Sequence, residues 1–300
     1  MQRVGITMSR VAFIGVGTMG APMAANIARG GRAVVAFDVN TEAVTRLASV
    51  GIEAANSAAD AARGADFVIT MLPNSQHVEA AAFGPDGFAA HMATDAMYID
   101  MSTIAPSKTD SIGAKMAEYG VAVVDAPVGR QQSHAVAGKL LIMVGGTAEH
   151  FERAKPILSL MGDTIIHCGG RGAGSRMKVV NNFMSIALNS LSSEALVLAE
   201  KSGLDPELAR TVMLGTVAGQ GHFGSTYPAK VLQGDVGPGF MIDLAHKDMG
   251  LAMELGRDLD IDLSTGQAAL KAYDLARTDG RGREDWTAIY LSARAAAGLK

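Results

Sequence analysis

The stretch VAFIGVGTMGAPMAANIA, Val11 to Ala28, decides how the first half of the chain is interpreted. An apolar segment leads through Gly15, Gly17 and Gly20, spaced G-x-G-x-x-G, into an Ala-rich segment. The first glycine permits a tight turn, the second lets a pyrophosphate approach the backbone, and the third lets helix and strand pack closely. The pattern predicts a strand, a turn and a helix whose N-terminal N–H groups face a diphosphate. A plain tight turn is the alternative, which the apolar run before it and the helical segment after it disfavour.

An acidic residue at the end of the next apolar run bears on the cofactor. Asp38 lies 18 positions beyond Gly20, close to the spacing of about 20 at which a carboxylate binds a ribose 2′-hydroxyl. Such a carboxylate repels a 2′-phosphate, and no arginine follows among Val39, Asn40 and Thr41. The stretch therefore predicts NAD(H) rather than NADP(H). Asp38 as a cap of the following helix is the alternative, and the two roles are compatible.

Short apolar runs alternate with Ala-rich helical segments through the first half of the chain. Continuous Val, Ile and Ala runs separated by helices predict a parallel sheet covered on both faces. The predicted strands are 11–14, 34–37, 67–70, 97–99, 121–124, 140–144 and 164–167, and the predicted helices include 19–28, 41–49 and 107–119.

The pattern changes after Cys168, where GGRGAGSR (169–176) forms a glycine-rich break. Residues 175–202 then predict one long helix, and no β-like run follows. Further helices are predicted over 206–214, 241–259, 264–277 and 286–297. We therefore predict an α/β NAD-binding domain of the Rossmann type over 1–170 and an all-α domain over 171–300, joined by the long helix. The second domain is assigned to substrate binding and oligomerisation.

Composition narrows the classes of function. The chain has 300 residues, of which 48% are hydrophobic, and a net charge of −4 that offers no broad surface for nucleic acid. The single cysteine excludes an internal disulfide framework and fits the cytoplasm. The N-terminal MQRVGITMSRVAFIG lacks the order of a signal peptide, with Met8 a candidate start, and 183–199 is too polar to span a membrane. The histidines show no metal-ligand spacing, so no metal is expected.

A polar stripe runs along the predicted long helix in KVVNNFMSIALNS. At 100° per residue, Lys178, Asn181, Asn182 and Ser185 fall within an arc of about 100°. The residues between them are apolar and favour burial on both flanks, so the stripe is expected to be enclosed. An enclosed lysine is costly unless it has partners or a chemical role. A solvated face of a surface helix is the alternative, although asparagine is a poor choice there.

The stripe has a specific chemical interpretation. When hydride reaches an aldehyde carbon, negative charge develops on the oxygen, and a nearby ammonium stabilises that charge and donates the proton. In the oxidation direction the lysine accepts the alcohol proton, and partial burial lowers its pKa toward that task. Asn182, one turn after Lys178, is placed to orient both the lysine and the substrate oxygen.

Three loops after predicted strands carry further candidates. DAPVGRQQSHAVAG (125–138) contains Arg130, whose guanidinium suits an anion with several acceptor oxygens; a solvated loop arginine is the alternative. MLPNSQHV (71–78) and DMSTIAP (100–106) follow two other strands, and Pro73, Ser102 and Thr103 are candidates for ribose or substrate contact. These two loops serve equally well as helix caps, with Ser75 and Ser107 at helix starts.

Four motifs together resemble the β-hydroxyacid dehydrogenase superfamily, which includes 3-hydroxyisobutyrate dehydrogenase. They are GVGTMGAPMAANIA, DMSTI, DAPV and KVVNN, in the family's order and spacing. The resemblance extends over essentially the full length. It implies a Rossmann domain and a helical domain of the 6-phosphogluconate dehydrogenase type, with substrate between them. It also implies Lys178 as the catalytic residue, Asn182 as its partner, and a homodimer or homotetramer.

Where most members have Ser-Gly-Gly after D-x-P-V, this chain has Gly129, Arg130 and Gln131. That departure resembles the branch that reduces 3-sulfolactaldehyde, a three-carbon sulfonate aldehyde, as do VNNFMSIALNSLSSEA, GTVAGQGHF and KVLQGDVGPGFMIDLAHKD. The resemblance implies that Arg130, Asn181 and Ser185 hold the sulfonate and that Lys247 closes over the cofactor. That branch has threonine and serine after the arginine, whereas Gln131 and Gln132 stand here.

The interpretation is an NAD-dependent reductase of a short anionic aldehyde. The alternatives are a carboxylate substrate, of the succinic semialdehyde or 3-hydroxyisobutyrate type, and a non-catalytic NAD(H)-binding protein. The predicted cofactor-binding residues are Gly15, Val16, Gly17, Thr18, Met19, Gly20, Asp38, Leu72, Pro73, Thr103 and Lys247. The predicted substrate-binding residues are Ser102, Gly129, Arg130, Gln131, Asn181 and Ser185, with Lys178 and Asn182 as the catalytic pair.

Overall fold

The computed structural model describes residues 9–222 and 224–299, so the candidate start Met8 lies outside the described residues. The chain divides into two compact units, Met1–Asn182 and Phe183–Lys300. The boundary falls inside the long helix, because the first turn of that helix is bonded to the sheet of the first unit.

The first unit is built on one sheet. Its strand order is β3-β2-β1-β4-β5-β6-β8-β7, with β9 paired to β8. The strands are β1 (Arg10–Ile14), β2 (Ala33–Phe37), β3 (Glu53–Ala54), β4 (Phe67–Thr70), β5 (Met97–Asp100), β6 (Ala122–Asp125), β7 (Val128–Gly129), β8 (Leu140–Gly145) and β9 (Gly162–Gly169). From β3 to β6 all neighbours are parallel, in the order 3-2-1-4-5-6 of a Rossmann sheet.

The far edge of the sheet differs from the purely parallel sheet predicted. β8 runs antiparallel to β6 and β7, and β9 runs parallel to β8. The helix between β6 and β8, Gln132–Val136, has five residues and is about 7.5 Å long, too short to return the chain for a parallel crossover. An antiparallel strand needs no such return.

The helices of the first unit cover both faces of this sheet. Along β1, Val11 and Phe13 belong to one buried core, and Ala12 and Ile14 to the other, as strand alternation requires. The helices are α1 (Gly20–Arg29), α2 (Thr41–Thr45), α3 (Ala58–Ala62), α4 (Ser75–Phe83), α5 (Pro106–Glu118), α6 (Gln132–Val136), α7 (Ala148–Leu158) and α8 (Ala173–Lys201). 3-10 turns lie at Arg46–Val50 and Ala89–His91.

The second unit is helical, and no strand is assigned within the described residues after Gly169. Its small core includes Ile242, Ala276 and Ala288. Beyond the end of α8, its helices are α9 (Pro206–Leu214), α10 (Val217–Gln220), α11 (Thr226–Ala229), α12 (Ile242–Asp258), α13 (Ser264–Thr278) and α14 (Ile289–Ala296), with 3-10 turns at Val231–Gln233 and Trp286–Ala288. Among the described helices, none combines the length and apolar character needed to cross a bilayer.

The flanks of α8 are exposed, contrary to the expected enclosure of its polar stripe. Val180, Phe183 and Ile186 are 64%, 76% and 69% exposed in the single chain. Asn181 and Ser185 are exposed as well. The expected enclosure is therefore wrong for Asn181 and Ser185 in the single chain, whereas Lys178 and Asn182 are half-buried.

Candidate active site

A pocket of about 660 Å³ lies at the carboxyl ends of β1, β2 and β4. The end of a parallel sheet is where open α/β folds bind ligands. Eight of the predicted cofactor residues line it: Gly15, Gly17, Thr18, Met19, Gly20, Asp38, Leu72 and Pro73. Sequence reasoning missed Asn56, Ser57, His77 and Asp86, which also line the pocket. Asn56 and Ser57 follow β3, a strand of two residues that is too short to be recognised in the sequence.

The three glycines of the turn have different surroundings. Gly15 has φ +92°, and a Cβ there would meet the Met71 carbonyl oxygen and lie 2.8 Å from Leu72 Cδ2. A Cβ on Gly20 would collide with the Gly15 carbonyl oxygen. A Cβ on Gly17 would meet nothing within 4 Å. Gly15 and Gly20 therefore allow close packing, whereas Gly17 leaves its backbone open to a ligand from the pocket, as a diphosphate requires.

Asp38 links the ends of β1 and β2. Its Oδ2 accepts the Val16 N–H at 2.8 Å and its Oδ1 accepts the Asn40 N–H at 2.8 Å. The Val16 side chain is buried, so this residue contributes to the site only through its backbone. Asn40, not Asp38, caps α2, by accepting the Glu42 N–H. The remaining lone pairs of Asp38 face a pocket that, within the described residues, no lysine or arginine lines. This arrangement fits the free ribose hydroxyls of NAD(H).

A buried network connects the two loops after β4 and β5. The Leu72 N–H donates to Ser102 Oγ at 2.9 Å, and the Ser102 N–H donates to Asp100 Oδ1 at 3.0 Å. Thr70 Oγ1 donates to the same carboxylate oxygen at 2.9 Å. Burial, opposed by these hydrogen bonds, raises the pKa of Asp100 to about 6. The Ser102 hydroxyl thus supports the cofactor loop.

The loops after β4 and β5 lead into α4 and α5, and the alternative role predicted for them was to cap these helices. Asn74 caps α4 by accepting the His77 N–H. α5 begins with Pro106 and has no side-chain cap in the described structure. Thr103 is exposed next to the buried Ser102.

Asp125 anchors the start of α8, a role that sequence reasoning missed. Its buried carboxylate accepts the N–H groups of Gly172 and Ser175 at 2.6 and 2.7 Å. Burial raises the pKa of Asp125, and these two N–H bonds oppose the shift. Ser175 Oγ also donates to the Ile104 carbonyl at 3.2 Å. A Cβ on Gly174 would collide with the Met143 carbonyl, so the start of the helix packs directly against the backbone of β8.

Lys178 lies one turn after Gly174 and so on nearly the same face of α8. It is half-buried, and burial lowers the pKa of its ammonium. Asn182, also half-buried, accepts a bond of 3.4 Å from the amide of the exposed Asn181. Lys178, Asn181 and Asn182 thus share the anchored part of α8. Ser185 falls in the second unit, and the side chain of Lys247, on α12, lies outside the described part of the structure.

Arg130 has partners within the chain. It follows β7, which pairs with the start of β8 just beyond the carboxyl end of β6. Its guanidinium donates to Asp163 Oδ1 at 2.6 Å, to the Lys139 carbonyl at 2.6 Å and to Thr164 Oγ1 at 3.2 Å. The bonds from Thr164 and Arg130 lower the pKa of Asp163. Gln131 and Gln132 are exposed at the start of α6, and Gly129 is half-buried in β7.

The comparisons with known proteins cover nearly the whole chain. One family model, the NAD binding domain of 6-phosphogluconate dehydrogenase, matches residues 10–170. Another, NAD-binding of NADP-dependent 3-hydroxyisobutyrate dehydrogenase, matches residues 172–292. The chain is 49% identical to 3-sulfolactaldehyde reductase of Escherichia coli (strain K12) over 292 residues, 97% of this chain and 98% of that protein.

Two further relatives are similar over comparable lengths. NAD-dependent L-serine dehydrogenase of Pseudomonas aeruginosa is 38% identical over 288 residues, 94% of this chain and 97% of that protein. A solved structure of 3-hydroxyisobutyrate dehydrogenase from Mycobacterium tuberculosis with L-serine has a TM-score of 0.67 and 34% identity, covering 96% of this chain and 99% of that one.

The Rossmann sheet, its glycine turn and these matches define an NAD-dependent oxidoreductase that acts on hydroxyl and aldehyde groups. The chain belongs to the 3-hydroxyisobutyrate dehydrogenase family. Its cofactor is NAD(H), and the pocket with Asp38 is the place where the residues present fit it. Within the described residues, no group of three or more His, Cys, Asp or Glu side chains is placed to hold a metal ion.

Proposed function

We propose that the enzyme reduces 3-sulfolactaldehyde to 2,3-dihydroxypropane-1-sulfonate, reversibly. The observation that carries the proposal is Arg130 at the end of the D-A-P-V loop, in a chain 49% identical to a 3-sulfolactaldehyde reductase. A sulfonate keeps its charge at all physiological pH values and offers three acceptor oxygens. A guanidinium matches such a group with paired, charge-assisted hydrogen bonds.

In the proposed mechanism Lys178 is the general acid. NADH, held in the pocket with Asp38, would supply the hydride for the aldehyde carbon. The Lys178 ammonium donates its proton to the oxygen on which charge develops. Aldehyde, NADH and one proton thus become alcohol and NAD⁺. Burial lowers the pKa of Lys178, which makes its ammonium a stronger acid and, in oxidation, leaves more of the neutral amine to accept the alcohol proton. Asn182 orients the lysine and the substrate oxygen.

The proposed anion site consists of Arg130, Asn181 and Ser185, with Gly129 and Gln131 beside the arginine. Ser102 and Thr103 border the substrate, and Lys247 and Thr103 complete the cofactor site. Asn181 and Ser185 are one turn apart on α8, so their side chains share a face of the helix.

A carboxylate aldehyde or a 3-hydroxy acid is the second candidate substrate. The observation that favours it is the bond of 2.6 Å between Arg130 and the Asp163 carboxylate, because it shows that a carboxylate fits this guanidinium. Relatives such as 3-hydroxyisobutyrate dehydrogenase of Pseudomonas aeruginosa, 38% identical, carry carboxylate substrates in their names.

Steady-state kinetics decide between the two. 3-Sulfolactaldehyde and succinic semialdehyde are assayed with NADH and with NADPH, beside glyceraldehyde as the neutral analogue. We expect the highest kcat/KM with the sulfonate and NADH. A higher kcat/KM for the carboxylate removes the sulfonate assignment, and tight NADH binding without turnover of any aldehyde favours a non-catalytic NAD(H)-binding protein.

We also propose that the enzyme works in the cytoplasm as a homodimer or homotetramer. The single cysteine, Cys168, is free, which suits a reducing compartment. The exposed apolar side chains of α8 suit contacts between subunits.

A further inference from the structure

The backbone of Arg130 adopts an unusual conformation. Its φ is +75°, in the left-handed region that residues other than glycine rarely occupy. Such a conformation persists when surrounding contacts over-determine it, and it is concentrated at functional sites. Arg130 has such contacts, since its guanidinium bonds to three different residues of the chain. The side chain is therefore held in one orientation.

The contacts of Arg130 occupy one end of the guanidinium. Nη1 donates to the Lys139 carbonyl and to Asp163 Oδ1, both at 2.6 Å, and Nη2 donates to Thr164 Oγ1 at 3.2 Å. Thr164 Oγ1 in turn donates to Asp163 Oδ1 at 2.8 Å. These bonds use three of the five N–H donors of an arginine. Within the described residues, Nε has no bonded acceptor, so Nε–H and the second Nη2–H form a free edge.

We propose that Asp163, assisted by Thr164, is a positioning residue that holds Arg130 so that its free edge receives the terminal anion of the substrate. This inference deepens the proposed function and rests on the proposed role of Arg130. Two parallel N–H donors on one edge of a guanidinium match two oxygens of a sulfonate or carboxylate. A pre-oriented arginine loses less rotamer freedom when the anion binds.

The opposite role, competition between Asp163 and the substrate for Arg130, is disfavoured by the same geometry. Asp163 binds Nη1, away from the free edge. Its side chain is 47% exposed and that of Arg130 is 34% exposed, so water screens its repulsion of a substrate anion. The net effect of Asp163 is therefore to favour anion binding.

The test is the kinetics of Asp163→Ala with 3-sulfolactaldehyde and with glyceraldehyde, which has a hydroxyl in place of the sulfonate. We expect KM for the sulfonate to rise about tenfold, because Arg130 without its partner loses more rotamer freedom when the anion binds. We expect kcat and the kcat/KM for glyceraldehyde to stay within about twofold, because its neutral hydroxyl lacks the charge and the paired oxygens that the free edge binds. Asp163→Asn, which keeps an acceptor oxygen, restores most of the affinity.

Two further variants separate this inference from the proposed function. Glu152→Ala, which removes an exposed ion pair with Lys155 on α7, is the matched control and leaves both substrates unaffected. Arg130→Ala tests the anion site itself: an unchanged KM for the sulfonate overturns the proposed function. If Arg130→Ala raises KM while Asp163→Ala leaves it unchanged, only the positioning role fails. A lower KM in Asp163→Ala identifies a competitor and overturns the inference.

Discussion

Lys178 is the residue on which the proposed chemistry depends. We expect Lys178→Ala to lower kcat by about 10²–10⁴-fold, the usual contribution of a general acid. The Kd for NADH should stay nearly constant, because the pocket that fits the cofactor is lined by other residues. Kd is measured by NADH fluorescence and kcat by NADH consumption. Undiminished turnover in Lys178→Ala rules out the proposed mechanism.

The lowered pKa of Lys178 also predicts a pH profile. Reduction requires the ammonium, so kcat/KM for the aldehyde should fall as pH rises through the pKa of Lys178, which burial places below 10.5. Oxidation requires the neutral amine, so kcat/KM for the alcohol should rise over the same pH range. In Lys178→Arg, any pH-dependent change of kcat/KM that survives should move to higher pH. If the change stays at the same pH in that variant, it reports the titration of another group.

At the scale of the helices, the stability of the start of α8 depends on the Asp125 carboxylate. Asp125→Ala leaves the Gly172 and Ser175 N–H groups without their acceptor and should lower the free energy of unfolding by about 2–4 kcal/mol. Asp110→Asn is the matched control, because it weakens an exposed ion pair with Arg176 at the same end of α8 and should cost less than about 1 kcal/mol. Urea unfolding measures both. Equal losses would show that Asp125 does not anchor the helix.

The loops after β4 and β5 depend on Asp100, whose pKa is raised from 3.8 to about 6. The folded state binds this proton more tightly than the unfolded state, so ionised Asp100 is destabilising above about pH 6, and this cost disappears as pH falls toward 4. Asp100→Asn removes the ionisation. The free energy of unfolding of Asp100→Asn minus that of the natural protein should be larger at about pH 8 than at about pH 4. The increase should be up to about 3 kcal/mol. Urea unfolding at both pH values measures the difference.

Asp66→Asn, at an exposed acid before β4 that accepts the Arg10 N–H, is the control for removing a surface charge. Its stability relative to the natural protein should change less with pH than that of Asp100→Asn. A pH-independent difference for Asp100→Asn would contradict the destabilising ionisation.

For the molecule as a whole, local patterns predicted much more than distant pairings. Strands 67–70 and 97–99 were predicted within a residue of the observed β4 and β5, because continuous apolar runs identify buried strands. The partner of Arg130 was missed because Asp163 lies 33 residues away and reaches the arginine through the pairing of β7, β8 and β9. The role of Asp125 was missed for the same reason, since it caps a helix 47 residues further on.

The exposed flanks of α8 predict an oligomer. Large exposed apolar surfaces on a folded chain are typical of interfaces, and Phe183 and Ile186 are prominent on this helix. We expect the enzyme to behave in solution as a dimer or tetramer of the 31.0 kDa chain, measured by light scattering. Phe183→Glu with Ile186→Glu should shift it toward the monomer, because a charge buried at an apolar interface is costly. Val39→Glu, at an exposed site on the other unit, is the control. A monomeric natural enzyme would show that these side chains are covered in another way.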